Sequence, residues 1–429
     1  MKYASYWHDT APRFDGARTG PVEGSYDVAV IGGGFTGLAA ARSLARAGAR
    51  VAVLEARHVG AGASGRNGGH LNNGMAHGFA EARRSLGDRT AHDLYRTYDR
   101  SIDLIEQIVA EEGIACDFRR SGKLKLASKP SHVDAMRADF EMVHREVDPD
   151  TAWLDRADLG AEIGSGAFHG AMLYRKSAMM HMGRYLEGLA RAARARGADI
   201  WEDAPVTARA GSAGGWTLTT PGGSLHAARV IAATGAYSGS VKGAPLGHFR
   251  RRIVPVGSFI VATRPLSEAE ARAVMPGDRT CVTSMNVGNY FRLSPDRRLI
   301  FGGRARFSAT SDARSEAKAG AILRRGMASI FPALDGIDID YCWGGLVDMT
   351  RDRLPRAGEA DGMIYAMGYS GHGAQMSTLM GEVLADLAQG RTDANPLAGM
   401  AWPAIPAHSG RPWFLPLVGM WFGLKDRLS

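Results

Sequence analysis

The sequence has only three cysteines, Cys116, Cys281 and Cys342, and they lie far apart. A sparse, odd-numbered set of this kind argues against a disulfide framework and a zinc site, and it predicts a reducing compartment. No run of about 18 apolar residues occurs, so no membrane span is predicted. Residues 1–14 lack the apolar core of a signal peptide. We therefore expect a cytoplasmic protein without a metal site.

Concentrated charge is also absent. The 429 residues include 52 Lys and Arg against 44 Asp and Glu, a formal net charge of +8, and the arginines are spread along the chain. Nucleic-acid-binding proteins usually gather their basic residues in an arm or patch, so no nucleic-acid partner is expected. Hydrophobic residues make up 45% of the chain, which excludes a disordered or fibrous protein. The length predicts about two or three domains.

The strongest local pattern is a glycine turn between a strand and a helix. Residues 26–32, YDVAVIG, form an apolar run typical of a strand buried on both faces. GGGFTG follows at 32–37, then apolar residues at helical spacing as far as Gly48, then the strand RVAVLEA. Strand, turn, helix and strand in this order predict a βαβ unit of a Rossmann-like α/β domain.

The glycines of this turn meet separate requirements of a bound dinucleotide. Gly32 allows the tight turn, Gly34 lets a pyrophosphate approach backbone N–H groups, and Gly37 lets the helix pack closely on the strand. Glu55, near the end of the second strand, is placed to accept hydrogen bonds from both ribose hydroxyls of an adenosine. The same carboxylate repels a 2′-phosphate, which disfavours NADP. The sequence therefore predicts a site for an adenine dinucleotide.

A second glycine-rich segment distinguishes FAD from NAD. Residues 60–74, GAGASGRNGGHLNNG, place Ser64, Arg66 and Asn67 among glycines. Backbone N–H groups and small side chains suit the extended ribityl–pyrophosphate chain of FAD. His70 in this segment has three interpretations: it faces the flavin ring, it carries a covalent flavin bond, or it is a polar loop residue.

A third glycine turn, MGYSGHGAQM at residues 367–376, ends a predicted strand and begins a helix. The positive end of that helix, directed at the N1/C2 carbonyl edge of a flavin, would stabilise the negative charge of the reduced ring. An ordinary helix cap is the alternative interpretation. We expect the glycine turns, although distant in the chain, to converge on one cofactor.

The region from about residue 250 to 345 differs in pattern from the glycine-rich parts. Its short strands and turn residues predict an inserted, antiparallel-sheet domain of α+β type. In the part before it, DFRRSGKLKLAS at residues 117–128 alternates like an exposed strand. We predict a discontinuous cofactor domain at residues 1–90, 160–245 and 340–400, a second domain at 91–159 and 246–339, and an apolar C-terminal tail at 401–429.

The tail contains PWFLPLVGMWFGLKDR at residues 412–427. This segment is too short to span a bilayer. We expect it to pack on its own subunit or a partner subunit, and shallow contact with a membrane surface or a protein partner is the alternative.

Together the motifs resemble one known family. YDVAVIGGGFTGLAAA, GASGRNGG, VIAATGAYS, NYFRLSPDRRLIFGG, WGGLVDMTRDRLPRAG and GYSGHG resemble the D-amino-acid oxidase-type flavoproteins, and among these the γ-glutamylputrescine oxidase-like amine oxidoreductases. The resemblance covers about residues 5–400. It implies FAD, a two-domain fold with the substrate domain over the flavin, and oxidation of a C–N bond to an imine. We expect noncovalent FAD, because no cysteine lies near the C-terminal glycine turn.

Motifs and resemblance together give a set of candidate FAD-binding residues. They are Gly32, Gly34, Phe35, Thr36, Gly37, Glu55, Ala56, Arg57, Ala63, Ser64, Arg66, Asn67, Gly68, Gly69, His70, Val206, Thr234, Gly235, Gly368, Gly371, His372 and Gly373.

Flavin amine oxidation asks the protein mainly to orient a neutral amine with its α C–H toward flavin N5 for hydride transfer. Tyr290 and Arg292 share one face of a predicted strand, which we place over the flavin. Arg292 is placed to hold a substrate carboxylate bidentately, and a solvated arginine with a packing tyrosine is the alternative. Trp343 and Tyr369 are further candidates for contact with the substrate. The catalytic candidates are His372, Tyr290 and Arg292.

The predicted activity is FAD-dependent oxidation of an amine or amino-acid-like small molecule. The electron acceptor is O2 or another compound, so oxidase and dehydrogenase both remain open. The alternatives are a D-amino-acid dehydrogenase or sarcosine-oxidase-like enzyme and, in a different class, a tRNA-modifying flavoprotein suggested by the charge of +8.

Overall fold

The computed structural model describes residues 1–212, 214–239, 246–303, 313–410 and 412–428. Within these residues the helices are α1 (Tyr6–Thr10), α2 (Phe35–Arg46), α3 (Phe79–Leu86), α4 (Asp88–Glu111), α5 (Val133–Glu146), α6 (Met182–Ala195), α7 (Gly247–Arg250), α8 (Glu268–Val274), α9 (Ala313–Ile330), α10 (Gly373–Ala388) and α11 (Leu415–Leu428).

The strands of the described residues form two large sheets and one small one. They are β1 (Ser25–Ile31), β2 (Val51–Leu54), β3 (His70–Leu71), β4 (Lys123–Leu126), β5 (Ala152–Asp155), β6 (Gly170–Tyr174), β7 (Ala178–Met179), β8 (Asp199–Trp201), β9 (Ala208–Ser212), β10 (Gly215–Thr220), β11 (Gly223–Ala232), β12 (Val254–Thr263), β13 (Thr280–Thr283), β14 (Asn289–Leu293), β15 (Leu299–Gly303), β16 (Ile339–Met349), β17 (Arg356–Ala360) and β18 (Met363–Met367).

The first sheet has the order β17-β18-β11-β1-β2-β8, with β10 and β9 continuing from β11. The pairs β1–β2, β1–β11, β2–β8 and β11–β18 are parallel. Alternate residues of β1 enter different apolar clusters on opposite faces, Val28 and Val30 on one face and Ala29 and Ile31 on the other. The predicted buried strand and the Rossmann-like class are therefore confirmed.

The second sheet has the order β16-β12-β15-β14-β13-β4-β6-β5, and every pair except the parallel β4–β13 is antiparallel. β6 and β16 belong to this sheet, although the predicted boundaries at residues 160 and 340 assign Gly170–Tyr174 and most of Ile339–Met349 to the cofactor domain. The sheets therefore divide the chain differently from these two predicted boundaries, because long-range strand pairing decides which sheet a segment joins.

The two faces of the second sheet have different environments. Leu124, Phe259, Phe291 and Phe301 point into an apolar cluster that also contains residues of α8 and α9. The prediction that the KLKL segment is an exposed strand is wrong, since β4 lies between β13 and β6 and Lys123 is only 6% exposed. The opposite face of the sheet forms one wall of a large cavity.

The C-terminal helix α11 contacts the rest of the chain through few buried side chains. Leu415 and Asp426 are buried, whereas other large apolar residues of the tail are exposed: Trp413, Leu417, Met420, Trp421, Leu424 and Leu428. No helix in the described ranges combines the length and the apolar character that crossing a bilayer requires.

Candidate active site

The first glycine turn presents the N-terminus of α2 to the cavity. Gly32 has φ +111°, a conformation that favours glycine. The N-cap residue is Gly34, which provides no side-chain cap, and the Ser64 hydroxyl accepts a hydrogen bond from the Phe35 N–H at 3.0 Å. The other N–H groups of the first turn of α2 are therefore the ones available to a ligand. A Cβ on Gly37 would lie 1.9 Å from the Gly32 carbonyl oxygen. Gly37 therefore allows the close packing that the sequence predicts, but it does not itself line the cavity.

Glu55 lies directly beneath this turn. Its carboxylate accepts hydrogen bonds from the Gly33 N–H at 2.7 Å and the Arg57 N–H at 3.0 Å. Burial raises the pKa of Glu55, and these backbone hydrogen bonds oppose that effect. The carboxylate is therefore fixed at the end of β2, where it lines the cavity.

The second glycine segment is held in place by α1, near the N-terminus. The Trp7 indole donates a hydrogen bond to the Asn67 carbonyl oxygen at 2.6 Å, and the Ser5 hydroxyl donates to the Gly65 carbonyl oxygen at 2.6 Å. The Asn67 side chain accepts from the Gly69 N–H at 2.8 Å. The segment is therefore an ordered part of the cavity wall.

Arg66 and Trp343 join the same segment to β16. The Arg66 guanidinium donates to the Gly344 carbonyl oxygen at 2.7 Å, and the Trp343 indole donates to the Arg66 carbonyl oxygen at 3.1 Å. Trp343 is fully buried and does not line the cavity. The predicted contact of Trp343 with substrate does not match this placement, because its indole packs behind the glycine segment.

The third glycine turn brings the N-terminus of α10 to the cavity. Gly371 has φ +97°, and no atom of the described residues lies within 4 Å of a Cβ added there. Asp348 stabilises the turn by accepting a hydrogen bond from the Gly368 N–H at 2.7 Å. Burial raises the pKa of Asp348 to about 6. His372, the N-cap of α10, lies with its ring centroid 5.8 Å from that of Tyr98.

These three turns border one cavity of about 890 Å³, which also extends over the second sheet. Most of the candidate FAD-binding residues line it. The exceptions are Gly37, Gly69 and Gly368. Contact of each individual residue with FAD stays a prediction.

Tyr290 lines the cavity from the second sheet, and two glycines make room for its ring. A Cβ on Gly68 would approach the ring to 2.5 Å, and one on Gly302 to 2.4 Å. The Tyr290 hydroxyl is 3.0 Å from the Ser258 hydroxyl. The His70 ring packs edge-on against Tyr290, with centroids 5.3 Å apart. The tyrosine is thus fixed beside the second glycine segment.

His70 also lines the cavity, and both of its ring nitrogens face carbonyl oxygens. Nδ1 is 3.0 Å from the Gly68 oxygen and Nε2 is 3.3 Å from the Phe291 oxygen. Burial and the nearby Arg292 lower the pKa of His70 to about 3. The imidazole is therefore neutral at physiological pH.

Arg292 follows Tyr290 on the same face of β14 but is covered by other parts of the chain. Its guanidinium donates to the Met180 carbonyl oxygen at 2.8 Å and lies 5.2 Å from the Trp7 ring centroid. A Cβ on Gly69 would lie 2.6 Å from this guanidinium. Arg292 is 1% exposed and does not line the cavity. This placement does not favour the prediction that Arg292 holds a substrate carboxylate, because α1 and the glycine segment cover the guanidinium.

Tyr369 lies in the cavity wall with its hydroxyl 2.7 Å from the Thr36 hydroxyl. Burial raises the pKa of Tyr369. The sequence reasoning missed other cavity residues: Tyr95, Lys123, Lys125, Tyr174, Tyr237, Ser258, Met285, Leu346 and Val347. The alternation in KLKL places Lys123 and Lys125 on one face of a strand, and this could have marked them as candidates. For the others, no local pattern distinguishes a cavity wall from an ordinary core or surface.

One cluster of acidic residues and a histidine lies outside the cavity. Ligand atoms of Asp88, His92 and Glu146 lie within 4.8 Å of one another. Arg83 makes ion pairs with both carboxylates, so their charge already has a partner.

Two sheets, a glycine turn at the start of α2 and a buried carboxylate at the end of β2 define a dinucleotide-binding protein. The chain belongs to the FAD dependent oxidoreductase (DAO) family, whose pattern matches residues 27–387. The cofactor is FAD, held noncovalently, and the enzyme is an amine or amino-acid oxidoreductase.

Similar proteins cover most of the chain. It is 36% identical over 362 residues to the probable oxidoreductase OrdL of Haemophilus influenzae, and the alignment covers 84% of this chain and 82% of that protein. It is 33% identical over 409 residues to the gamma-glutamylputrescine oxidoreductase of Escherichia coli, covering 94% and 93%. The crystal structure of glycine oxidase from Geobacillus kaustophilus superposes with a TM-score of 0.74 at 25% identity, covering 88% and 98%.

The cavity residues fit FAD in their chemistry. Gly34 provides no side-chain cap, and the N–H groups of the first turn of α2 other than that of Phe35, which donates to the Ser64 hydroxyl, are the donors offered to a pyrophosphate. The Glu55 carboxylate offers acceptors to ribose hydroxyls. A Cβ on Gly34 would lie 2.8 Å from the Ser64 hydroxyl oxygen, so a larger residue would fill the approach to the turn. The three free cysteines are buried and do not line the cavity.

Proposed function

We propose that the protein oxidises a C–N bond of an amine to an imine, with hydride transfer to flavin N5, and that its substrate resembles that of γ-glutamylputrescine oxidoreductases. The observation that carries this proposal is the shared cavity. Residues of the second sheet, including Tyr290, line the same space as the dinucleotide-binding turn at Gly34. A substrate on the sheet face therefore lies beside the FAD site.

Bound FAD supplies the two-electron acceptor, and the chain supplies position and protonation state. Leu346, Val347 and Met285 contribute apolar side chains to the cavity wall, and an apolar contact favours the neutral form of an amine over its ammonium form. Neutral His70 adds no positive charge to the wall. These features favour the neutral, deprotonated amine, which is the form from which hydride transfer proceeds.

The N-terminus of α10 has an electrostatic role in this proposal. Gly371, His372 and Gly373 line the cavity at the positive end of the helix. That end would stabilise negative charge on the reduced cofactor. Tyr290 and His372 are retained as the candidate catalytic residues, Tyr290 by contact with the substrate and His372 by its place at this helix end.

The placement of Arg292 favours an amine over an α-amino acid. Recognition of an α-carboxylate next to the reacting carbon calls for a guanidinium in the cavity. Among the described residues, the arginines that line the cavity are Arg57 and Arg66. Both lie in the dinucleotide-binding part, and Arg66 is already bound to Gly344. A D-amino-acid dehydrogenase or sarcosine-oxidase-like activity is therefore the less supported alternative.

The test is anaerobic reduction of the purified, FAD-loaded protein. We expect γ-glutamylputrescine and related amines to bleach the flavin absorbance faster than N-methyl amino acids or D-amino acids do. Faster bleaching by a D-amino acid would replace the proposal with the alternative. A flavoprotein that no amine or amino acid reduces would contradict both.

The electron acceptor is determined by the same sample. Rapid return of the flavin absorbance on admitting air indicates an oxidase, and slow return indicates a dehydrogenase with another acceptor. The cytoplasmic location inferred from the cysteine content stays a prediction.

A further inference from the structure

Lys123 is a buried lysine whose amino group faces the cavity. Its Nζ atom donates a hydrogen bond to the Asn73 carbonyl oxygen at 2.6 Å and lies 3.8 Å from the centroid of the Tyr174 ring. In the described part of the chain, Lys125 forms an ion pair with Asp139, and Lys176 forms ion pairs with two carboxylates, each within 4.0 Å. Lys123 forms no ion pair within that distance with any described residue.

The nearby carboxylates are already bound elsewhere. Asp99 and Asp148 pair with Lys176 at 3.0 Å and 3.4 Å. The Asn73 side-chain amide donates to both of them, at 3.1 Å and 3.2 Å. The Tyr95 hydroxyl donates to Asp148 at 3.1 Å. This network fixes the segment whose carbonyl oxygen Lys123 contacts, but among the residues that the structure describes it leaves the Lys123 amino group without a direct counter-ion.

Lys123 lies on the same face of the second sheet as Tyr290. In the strand register, Tyr290 is opposite Val282, and Val282 is opposite Lys125. Lys123 is two residues further along β4, and its neighbour Leu124 points into the apolar core on the other face. Two strand spacings and two residues place the Lys123 Cα about 12 Å from the Tyr290 Cα. An extended small molecule spans that separation.

We propose that Lys123 binds a carboxylate at the end of the substrate distal from the oxidised C–N bond. The substrate class is then an extended amine that carries a terminal carboxylate. This inference rests on the proposed amine oxidation. It extends that proposal, because it assigns a specificity site to a residue outside the flavin-binding turns.

The environment of Lys123 supports this assignment. Burial and the neighbouring Lys125 lower the pKa of Lys123 to about 7, while Asp99 and Asp148 oppose the shift. A bound carboxylate would stabilise the ammonium form. The Tyr174 ring stabilises the same cation from the side, so the ammonium group is held in place before a ligand arrives.

The experiment uses the FAD-loaded protein and a matched pair of probes, 6-aminohexanoate and hexylamine. The apparent Kd of each is taken from anaerobic flavin reduction. In Lys123→Met we expect the Kd of 6-aminohexanoate to rise about 10- to 100-fold and that of hexylamine to change less than about twofold. Lys123→Arg keeps the charge and should retain most of the discrimination. Lys318→Met, the same change at an exposed position, is the control.

Binding of hexanoate, measured by calorimetry, tests the site without requiring turnover. Hexanoate binding that is lost in Lys123→Met but not in Lys318→Met supports the inference, even if no amine reduces the flavin and the proposed function fails. Equal Kd changes for both amines, or unchanged hexanoate binding in Lys123→Met, would overturn it. FAD content and thermal unfolding of each variant identify a folding defect, and in that case Lys123→Gln replaces Lys123→Met.

Discussion

The hydroxyls of Thr36 and Tyr369 lie 2.7 Å apart and form a hydrogen bond between residues separated by 333 positions in the chain. Thr36 is in the first turn of α2, and Tyr369 precedes the first turn of α10. This contact joins the two helix N-termini that border the cavity. Both hydroxyls lie in buried residues, so the hydrogen bond is shielded from water.

Removing this hydrogen bond should lower stability. We expect Tyr369→Phe and Thr36→Val each to reduce the free energy of unfolding by about 1–3 kcal/mol. Each substitution removes one hydroxyl and leaves the buried hydroxyl of the other residue without this hydrogen bond. The double variant should lose less than the sum of the two, by about 1 kcal/mol. Urea unfolding of the four proteins measures this coupling, and strict additivity would show that the two hydroxyls do not interact.

Arg292 should not determine substrate choice. The Arg292 guanidinium packs between Trp7 and the glycine segment. Arg292→Met should therefore change the ratio of kcat/KM between amines and D-amino acids by less than about threefold, which corresponds to a difference in activation free energy below about 1 kcal/mol. We expect lower FAD retention instead, because the guanidinium would no longer pack against the backbone at Gly69. Steady-state rates and flavin content of the purified variant measure the two effects. A ratio that changes tenfold would restore Arg292 to the substrate site.

Asp348 should make stability depend on pH in the acid range. Its pKa is raised from 3.8 to about 6 in the folded protein, so the folded state keeps this proton over a range where the unfolded state has released it. The stabilising contribution is therefore complete below about pH 4 and is lost as the pH rises to about 6. Relative to Asp348→Asn, the wild-type protein should lose up to about 3 kcal/mol across this range. Parallel pH profiles of urea unfolding for the two proteins would contradict the prediction.

Asp426 connects the C-terminal helix to the rim of the cavity. Its carboxylate accepts hydrogen bonds from the Asn286 N–H at 2.9 Å and the Val287 N–H at 2.8 Å, and Asn286 lines the cavity. Asp426→Ala should speed hydrogen exchange at residues 284–288, raise the KM for the amine, and cost about 1–3 kcal/mol of stability. The exposed neighbour Arg427 provides the control Arg427→Ala. Unchanged exchange in Asp426→Ala would show that α11 does not order this loop.

Local sequence was sufficient for the elements whose conformation is fixed by near neighbours. The run around Val28 and Val30 forms a buried strand, and Gly32 adopts the positive φ that only glycine favours. The predicted helix ending near Gly48 is observed as α2, Phe35–Arg46. These predictions succeeded because backbone conformation, side-chain periodicity and helix ends are set within a few residues.

The predicted boundaries at residues 160 and 340 differ from the division given by the sheets for the opposite reason. Strands β6 and β16 pair with partners of the second sheet, and local pattern does not give the residue at which one sheet ends and the other begins. Strand pairing is decided by long-range packing, so a composition change along the chain locates an insertion only approximately.

The sequence by itself determined which residues share a side of a strand, and only the tertiary structure decided what covers that side. Tyr290 and Arg292 are on one face of β14, yet Tyr290 borders the cavity while α1 and the glycine segment cover Arg292. Lys123 and Lys125 were read as exposed, and the fold places them in the cavity wall. Alternation follows from the geometry of a single strand, whereas burial depends on distant segments that pack against it.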